Sequence, residues 1–463
     1  MTKRCITRMA ILAATAVTTL ACSDDPTSTI SSMLGARQGG VGPGGICRGE
    51  GGTPLPTAPR SARVDLVTPS FSNPTDVTNP LFPVSRQERV LLFGAVDGEP
   101  LRIEVTLLAG TRVIAVKRRQ QVETLVSQFV AFVGGRLHEV AIDHYAQADD
   151  GAVWYFGEDV FNYADGAIVD TEGTWLAGSD GPAAMIMPAD AKVGDVWRPE
   201  NICGLVFEEV TAKSTGVTVN GPRGPVQGAL VVEELHMDGT LEAKTFARGY
   251  GEFTSGAGDN LEALALAVPT DALSGPTPAA LEALATGAAG IFDAAQSGDW
   301  NAASAAVGTM TFAWNAFQAG DVPSMLKAQM SGALDALVAA VSARNPAPAR
   351  QAAVNVARAS LDLQLRHRPR AEIDLALLDL WARQILIDVA AHDRRAVLGD
   401  IATLKWIRDR IADDLASADL RRLDAQLGGL PAAVTAQDLV AAAHAAARLR
   451  YTLARTQVTG RRI

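Results

Sequence analysis

The sequence lacks the motifs that identify the common enzyme classes. It contains no His-Glu-x-x-His, Cys-x-x-Cys or Gly-x-Ser-x-Gly motif, no phosphate-binding Walker loop and no paired dinucleotide-binding glycines. Only 5% of its 463 residues are aromatic, and it has 6 histidines and 4 cysteines. We therefore predict neither a cofactor nor a metal ion, and the sequence favours a protein that is not an enzyme.

Positive charge is also scarce. The formal net charge is −10, and removing Lys3, Arg4 and Arg8 with segment 1–21 leaves −13. From residue 22 to residue 260 there are 18 basic and 31 acidic residues, whereas residues 261–463 have 20 of each. We therefore predict no nucleic-acid partner, because phosphate binding needs an excess of basic residues. The change of charge near residue 260 indicates two units.

No apolar run after residue 21 reaches the length of about 18 residues that a spanning helix needs. A shorter run, Met9–Leu20, follows Lys3, Arg4 and Arg8. This order of basic, apolar and small residues predicts a signal peptide over residues 1–21.

The four residues that end this segment, Thr19-Leu20-Ala21-Cys22, resemble a bacterial lipobox, which implies lipidation of Cys22. Ser23 follows instead of the aspartate that marks inner-membrane retention, so the resemblance implies an outer-membrane lipoprotein that faces the periplasm or the exterior. Simple secretion is the alternative. Residues 22–62 are rich in Ser, Thr, Gly and Pro and are expected to form a flexible tether.

Two cysteines, Cys47 and Cys203, remain after removal of the leader and lipidation of Cys22. In an oxidising compartment they can form a disulfide that ties the tether to the folded part. The alternative is that the two thiols never meet.

Residues 63–260 contain β-rich runs separated by Asp-Gly pairs, which favour tight hairpin turns. The pairs begin at Asp97, Asp150, Asp165, Asp180 and Asp238. Their repetition predicts an antiparallel β-meander, folded as a curved sheet or partial barrel. The concave side of such a sheet is a place for a ligand.

If Asp150-Gly151 is a two-residue loop, the strand register follows by counting outwards. The count pairs Gln147 with Trp154, Tyr145 with Phe156, and Asp143 with Glu158. Counting from Asp165-Gly166 places Trp175 opposite Phe156. The predicted ligand-binding residues on this face are therefore Tyr145, Gln147, Trp154, Phe156 and Trp175.

Two alternatives use the acids of these strands. Asp143 and Glu158 beside aromatic rings would suit a carbohydrate-directed hydrolase, which needs one protonated and one ionised carboxyl group. On the other face, His144, Asp159 and Glu172 could hold a metal ion or a ligand. Core packing with solvated acids at the edge explains the same pattern without any site.

Two segments of these predicted strands resemble a known group of proteins. Asp143-His144-Tyr145-Ala146-Gln147 and Val153-Trp154-Tyr155-Phe156-Gly157-Glu158 resemble a block of an uncharacterised family of bacterial secreted proteins and lipoproteins. The likeness extends from Phe71 to about Phe253. It implies a shared β domain outside the cytoplasm and no activity.

Residues 261–463 have a different composition, with 52 alanines. Because alanine has the highest helix propensity, this segment predicts an α-helical domain. Helix starts are expected near Pro278, Asp299, Val322, Asn345, Arg370, Asp393 and Thr435. The starts at Asp299, Asn345 and Asp393 are spaced as in a helical-hairpin repeat, and a plain bundle fits equally well. The apolar segment 371–391 is expected to be a central helix whose acids need partners.

The sequence therefore predicts an α+β protein with separate domains, an antiparallel β domain followed by an all-α domain. The expected function is that of a cell-envelope lipoprotein, attached to the membrane by its lipid anchor, whose β domain binds a small or lipid-like ligand or a protein partner. A hydrolase using Asp143 and Glu158 and a purely structural envelope protein are the alternatives.

Overall fold

The computed structural model describes residues 47–49, 52–117, 120–258, 260–435 and 438–459. The signal peptide 1–21, Cys22 and most of the tether lie outside these residues. Within them, an antiparallel sheet is followed by helices, so the predicted α+β class is confirmed. We call residues 52–268 the β half and residues 279–459 the helical half. No helix in the described part of the chain has both the length and the hydropathy needed to cross a bilayer.

The described residues form fourteen strands: β1 Arg89–Val96, β2 Glu99–Lys117, β3 Gln120–Val133, β4 Arg136–Gln147, β5 Val153–Ala164, β6 Ala167–Asp170, β7 Trp175–Leu176, β8 Ala184–Met187, β9 Val196–Ile202, β10 Val206–Gly221, β11 Gly224–His236, β12 Leu241–Ala247, β13 Gly251–Ala257 and β14 Asn260–Val268. Their order in the sheet is β6-β5-β4-β3-β2-β1-β14-β13-β12-β11-β10-β9, and β7 and β8 pair with β5. The first and last strands are therefore neighbours in the middle of a meander.

The sheet does not end at residue 260, where the composition changes. Strand β14 runs on to Val268 and pairs with both β1 and β13. Its sequence, Leu-Glu-Ala-Leu-Ala-Leu-Ala-Val after Asn260, has the composition of a helix. Pairing on both edges, with burial of most of its side chains, overrides that local preference.

Asp-Gly pairs close hairpins of two lengths. Asp97-Gly98 and Asp165-Gly166 are two-residue loops with positive φ at both positions, as a type I′ turn requires. At Asp150-Gly151 the predicted two-residue loop is wrong. The loop has three residues, 149–151, because the backbone N–H of Ala148 donates to the carbonyl oxygen of Ala152 and closes the ladder there. Within the loop, Asp150 Oδ1 accepts a hydrogen bond from the backbone of Ala152.

Within the described residues the helical half has eight α-helices: α1 Ala279–Ser297, α2 Trp300–Phe317, α3 Ser324–Ser342, α4 Pro346–Gln364, α5 Arg370–Ala390, α6 Arg394–Ile411, α7 Ser417–Thr435 and α8 Leu439–Leu453. The first six begin within two residues of the predicted starts. The start predicted at Thr435 is wrong, because α7 ends there. The next helix, α8, begins after Asp438, whose side chain accepts a hydrogen bond from the backbone of Ala441.

The helices form two four-helix groups that meet at α4 and α5. In the first group α1 packs against α2 and α4, and α3 against α4; in the second, α5 packs against α6 and α8, and α7 against α8. Each group is closed by contact between its first and last helix, as in an up-and-down bundle. The structure thus favours the bundle over the hairpin repeat.

The helical half packs on the outer face of the sheet. Val130, Phe132 and Val140 belong to the same buried cluster as Trp381 of α5 and Leu404 of α6. Since neighbouring residues of a strand point to opposite sides, the residues between them form the inner face. Side chains from distant strands meet on that inner face, so the sheet curls into the partial barrel that its turns predict.

A disulfide joins Cys47 to Cys203, with a Cα–Cα distance of 5.3 Å. Cys203 lies in the loop between β9 and β10. Cys47 lies within the predicted tether, so the bridge attaches that part of it to the β9 edge of the sheet. Leu55 is buried in the same cluster as Cys47, so the folded part begins before residue 63.

Candidate functional site

The inner face encloses a cavity of about 150 Å³, which we call the inner cavity. It is lined by Phe129, Glu139, Ala141, Asp143, Tyr145, Tyr155, Glu158, Glu200, Glu208, Lys244, Glu252 and Glu262. These residues come from β3–β5 on one side and from β9, β10 and β12–β14 on the other. Seven of the twelve are acids and one, Lys244, is a base. The cavity is therefore a site of concentrated negative charge.

Strand alternation places the acids of β4 in this cavity. Glu139, Asp143 and Tyr145 line it, whereas Val140 and Ile142 point to the helices. On β5 the alternation changes at Gly157, which has a φ of 118° and lies at a shift of register. The shift brings both Tyr155 and Glu158 to the inner face.

Asp143 and Glu158 lie directly opposite each other, so this predicted pair is confirmed. Their side chains are buried, and Tyr155 donates a hydrogen bond of 2.6 Å from its hydroxyl group to Asp143 Oδ1. Burial, followed by the charges of Asp143 and Glu158, raises the pKa of Tyr155 well above its usual value. Tyr155 therefore remains a neutral hydrogen-bond donor at physiological pH.

The structure brings only part of the predicted ligand-binding set together. Tyr145 lines the inner cavity and stacks on Tyr155, with ring centroids 4.9 Å apart. Trp175 packs edge-on against Tyr155 and donates its Nε1–H to Glu200 Oε1 at 3.2 Å. It lies opposite Glu158 and not Phe156.

The other three predicted ligand-binding residues do not line the inner cavity. Trp154 and Phe156 flank Tyr155 and point to the other side of β5, where they are buried. Gln147 accepts hydrogen bonds from the backbone of Thr78 and Asn79. The predicted pairs Gln147–Trp154 and Tyr145–Phe156 are wrong because the loop is one residue longer than the count assumed. The register shift at Gly157 restores the count at Asp143 and Glu158.

Two residues of the alternative set on the opposite face lie together, because His144 Nε2 is 3.9 Å from Asp159 Oδ2. His144 Nε2 and Asp159 Oδ2 both contact Arg112 Nη1, at 2.8 and 3.0 Å, and Glu172 is an exposed residue after β6. Burial and the Arg112 charge lower the pKa of His144 to about 4. A group of His144, Asp159 and Glu172 is not among the clusters of potential metal ligands in the described residues.

Burial raises the pKa of Glu262 well above its usual value, and the neighbouring charge and hydrogen bond of Glu252 raise it further. Glu262 Oε2 has no hydrogen-bond partner among the described residues. Glu262 Oε2 is therefore a buried oxygen at the cavity wall that can take part in a further hydrogen bond.

A second cluster borders the inner cavity and consists of Glu208, Glu234, His236 and Glu242; we call it the His236 cluster. His236 Nε2 is 3.0 Å from Glu242 Oε2, and Nδ1 is 3.4 Å from Glu208 Oε1. Burial lowers the pKa of His236, but the hydrogen bonds with Glu208 and Glu242 outweigh it and raise the pKa to about 10. Glu234 pairs with Lys244 at 2.6 Å.

Sequence reasoning missed the His236 cluster, although a signal for it exists. Glu234-x-His236 precedes the Asp238-Gly239 turn and Glu242-x-Lys244 follows it. At a spacing of two, each pair lies on one face of its strand, and a hairpin brings the pairs together. Glu234, His236 and Glu242 form the one group of potential metal ligands found in the part of the chain that the structure describes.

No family model, curated protein or solved structure matches this chain.

Proposed function

We propose that this protein is a bacterial cell-envelope lipoprotein, anchored in the outer membrane through Cys22, whose β half binds a small organic cation in the inner cavity. The leader sequence and the lipobox resemblance support the location. The observation that carries the binding function is the excess of carboxylates over cations in the cavity wall.

The charge imbalance favours a cationic ligand. The lining residues include seven acids and a single lysine, Lys244, which pairs with Glu234. A bound organic cation would add positive charge beside these acids. It would be held more strongly than in water because the surroundings are of low dielectric constant.

The size and the aromatic wall favour an organic cation of few atoms. The cavity volume of about 150 Å³ is below the range of about 300–1,000 Å³ typical of pockets for drug-sized ligands, which disfavours a lipid or an oligosaccharide. Phe129, Tyr145 and Tyr155 line the same cavity as the acids. Ring faces next to carboxylates suit substituted ammonium groups, which bind by cation–π interaction as well as by charge.

Calorimetric titration with choline tests this proposal, with the neutral isostere 3,3-dimethyl-1-butanol as the matched ligand. We expect choline to bind and the alcohol to bind at least about tenfold more weakly, since a charge-assisted contact contributes about 1.5–3 kcal/mol. Glu158→Gln should weaken choline binding by a similar factor. Asp159→Asn, the neighbour on the opposite face, should leave it unchanged. Equal binding of choline and the alcohol would contradict the proposal.

A native mass spectrum of the Cys22→Ser protein from periplasm addresses the natural ligand. A bound organic cation is expected, and a bound lipid or glycan in its place would contradict the proposal. Loss of a hydrolytic activity in Glu158→Gln, with choline binding retained, would favour the hydrolase alternative.

A further inference from the structure

The His236 cluster has the composition of a metal site. One potential ligand atom from each of Glu234, His236 and Glu242 lies within 4.8 Å of the other two, and all three residues are buried. Imidazole nitrogen together with carboxylate oxygen is a common ligand set for zinc and related divalent ions.

The backbone fixes the positions of these donors. Glu234 and His236 are two residues apart on β11 and share its inner face. Glu242 of β12 lies opposite Glu234, and Glu208 of β10 lies opposite His236. Because the three donors belong to two adjacent strands, an ion would find them close to their final positions and little rearrangement would be needed.

Neighbouring groups orient the donors. Ser255 donates its hydroxyl hydrogen to Glu242 Oε1, which leaves Oε2 directed at His236. Glu208 lies next to His236 Nδ1 and so is placed to hold the ring with Nε2 toward Glu242. A carboxylate on the second ring nitrogen is the usual support of a metal-bound histidine.

A tethered cation already lies at this place. Lys244 Nζ is 2.6 Å from Glu234 Oε2, and the lysine side chain is largely buried. Its ammonium group compensates the carboxylate when no ion is bound. A metal ion would compete with that ammonium group for the Glu234 carboxylate.

We propose that Glu234, His236 and Glu242 bind a divalent transition-metal ion through His236 Nε2 and one oxygen of each carboxylate. The ion takes the position of the proton between His236 and Glu242 and displaces Lys244 from Glu234. Its three ligands do not line the inner cavity, but Glu208 and Lys244 border both sites.

The first experiment measures Zn²⁺ uptake by the full-length Cys22→Ser protein, using elemental analysis after dialysis and titration against a competing chelator. One ion per chain is expected. His236→Gln and Glu242→Gln should each weaken binding by about 100-fold or more. The matched control is Glu233→Gln, because Glu233 is next to Glu234 but faces outward and pairs with Lys213. Failure of the wild type to retain Zn²⁺, or unchanged retention in His236→Gln, would overturn the proposal.

The second experiment uses Lys244→Met, which removes the competing ammonium group. Zn²⁺ should then bind about tenfold more tightly, in the direction opposite to the ligand variants. A purely structural ion-pair network predicts no such gain. If this variant is unfolded without metal, Zn²⁺ should restore its circular dichroism spectrum, and failure to do so would count against the site.

The third experiment needs no variant. The zinc-edge X-ray absorption spectrum of the loaded wild-type protein should contain one imidazole nitrogen and at least two oxygen ligands. A shell composed of oxygen alone would overturn the proposal. Choline titration of the metal-free wild type separates this result from the proposed function, because its outcome does not require Zn²⁺ uptake.

Discussion

The two faces of the sheet both bury charge, but in different proportions. On the outer face, against the helices, four buried arginines pair with four acids: Arg89, Arg102, Arg370 and Arg410 with Glu104, Asp362, Asp374 and Asp414. Near them, Arg136 pairs with two buried acids, Asp388 and Asp400. On the inner face, the cavity has seven acids to one lysine. Buried charge therefore has two arrangements in this fold. Pairs of opposite charge hold the halves together, whereas acids predominate around the inner cavity.

The largest expected effect comes from breaking the balance on the outer face. Asp374 accepts from Arg89 at 2.7 Å and from Arg370 at 2.7 Å, and Arg410 is 3.5 Å away. Asp374→Asn would remove the counter-ion that these arginines share and leave them only Glu104 and Asp414, so it should lower the free energy of unfolding by about 3–5 kcal/mol. Urea denaturation followed by circular dichroism measures this. Glu372→Gln, at a half-exposed pair with Arg368, is the control and should change it by less than about 1 kcal/mol.

The next effect concerns a close contact between the halves. Gly166 has a φ of 77°, and a Cβ there would lie 2.2 Å from the carbonyl oxygen of Arg395 in α6. Gly166→Ala should therefore cost about 3 kcal/mol, from both strain and collision. Gly98 lies in the same type of turn with nothing within 4 Å. Gly98→Ala should cost only about 1 kcal/mol, the strain alone. Equal losses by thermal denaturation would contradict the docking of this turn on α6.

Relieving the imbalance on the inner face should stabilise the fold. Burial and Glu252 raise the pKa of Glu262, so the folded state retains a proton that the unfolded chain releases at lower pH. Stability is therefore highest below the unfolded pKa and is lost as the pH rises through the folded pKa. Glu262→Gln cannot ionise and should gain about 1 kcal/mol at pH 8 and nothing near pH 4. A destabilised variant at pH 8 would indicate that the carboxylate is needed for stability.

The smallest effect is expected at the solvent side of β5. Asp159 pairs with Arg112 at 3.0 Å, and both side chains are more than 40% exposed. Asp159→Asn should change the free energy of unfolding by about 0.2–1 kcal/mol, and the difference should disappear in 1 M NaCl. A loss as large as that of Asp374→Asn would remove the distinction between buried and exposed pairs.

Local signals made much of the fold predictable. Helices α2 and α6 begin where Asp299 and Asp393 accept hydrogen bonds from the backbone of Ala302 and Ala396, and this capping pattern is readable in the sequence. Helix α7 was not predicted because Pro431 lies inside it and reads as a break. The acids of α5 were expected to need partners, but Arg89 is 285 residues from Asp374, and no local rule connects them.

The candidate site was less predictable because it depends on the curvature of the whole sheet. Counting from the Asp150-Gly151 turn predicts the Asp143–Glu158 pair correctly. It does so because two deviations from the assumed register cancel: the loop is one residue longer, and the register shifts by one residue at Gly157. Glu200, Glu208 and Glu262 come from strands on the other side of the sheet order. These acids approach Asp143 only because the sheet curves over its inner face. Counting residues from a hairpin turn predicts contacts between neighbouring strands and cannot predict this curvature.

The disulfide decides where tension from the membrane would enter the fold. If the lipid is on Cys22, a force along the tether reaches Cys203 beside β9 through the disulfide and bypasses the segment that follows Cys47. The part of the tether from Cys22 to Cys47 can extend at most about 90 Å. This length limits the distance between the β9 edge and the lipid surface. Reduction of the disulfide would lengthen the segment between the lipid and the fold without releasing the protein from the membrane.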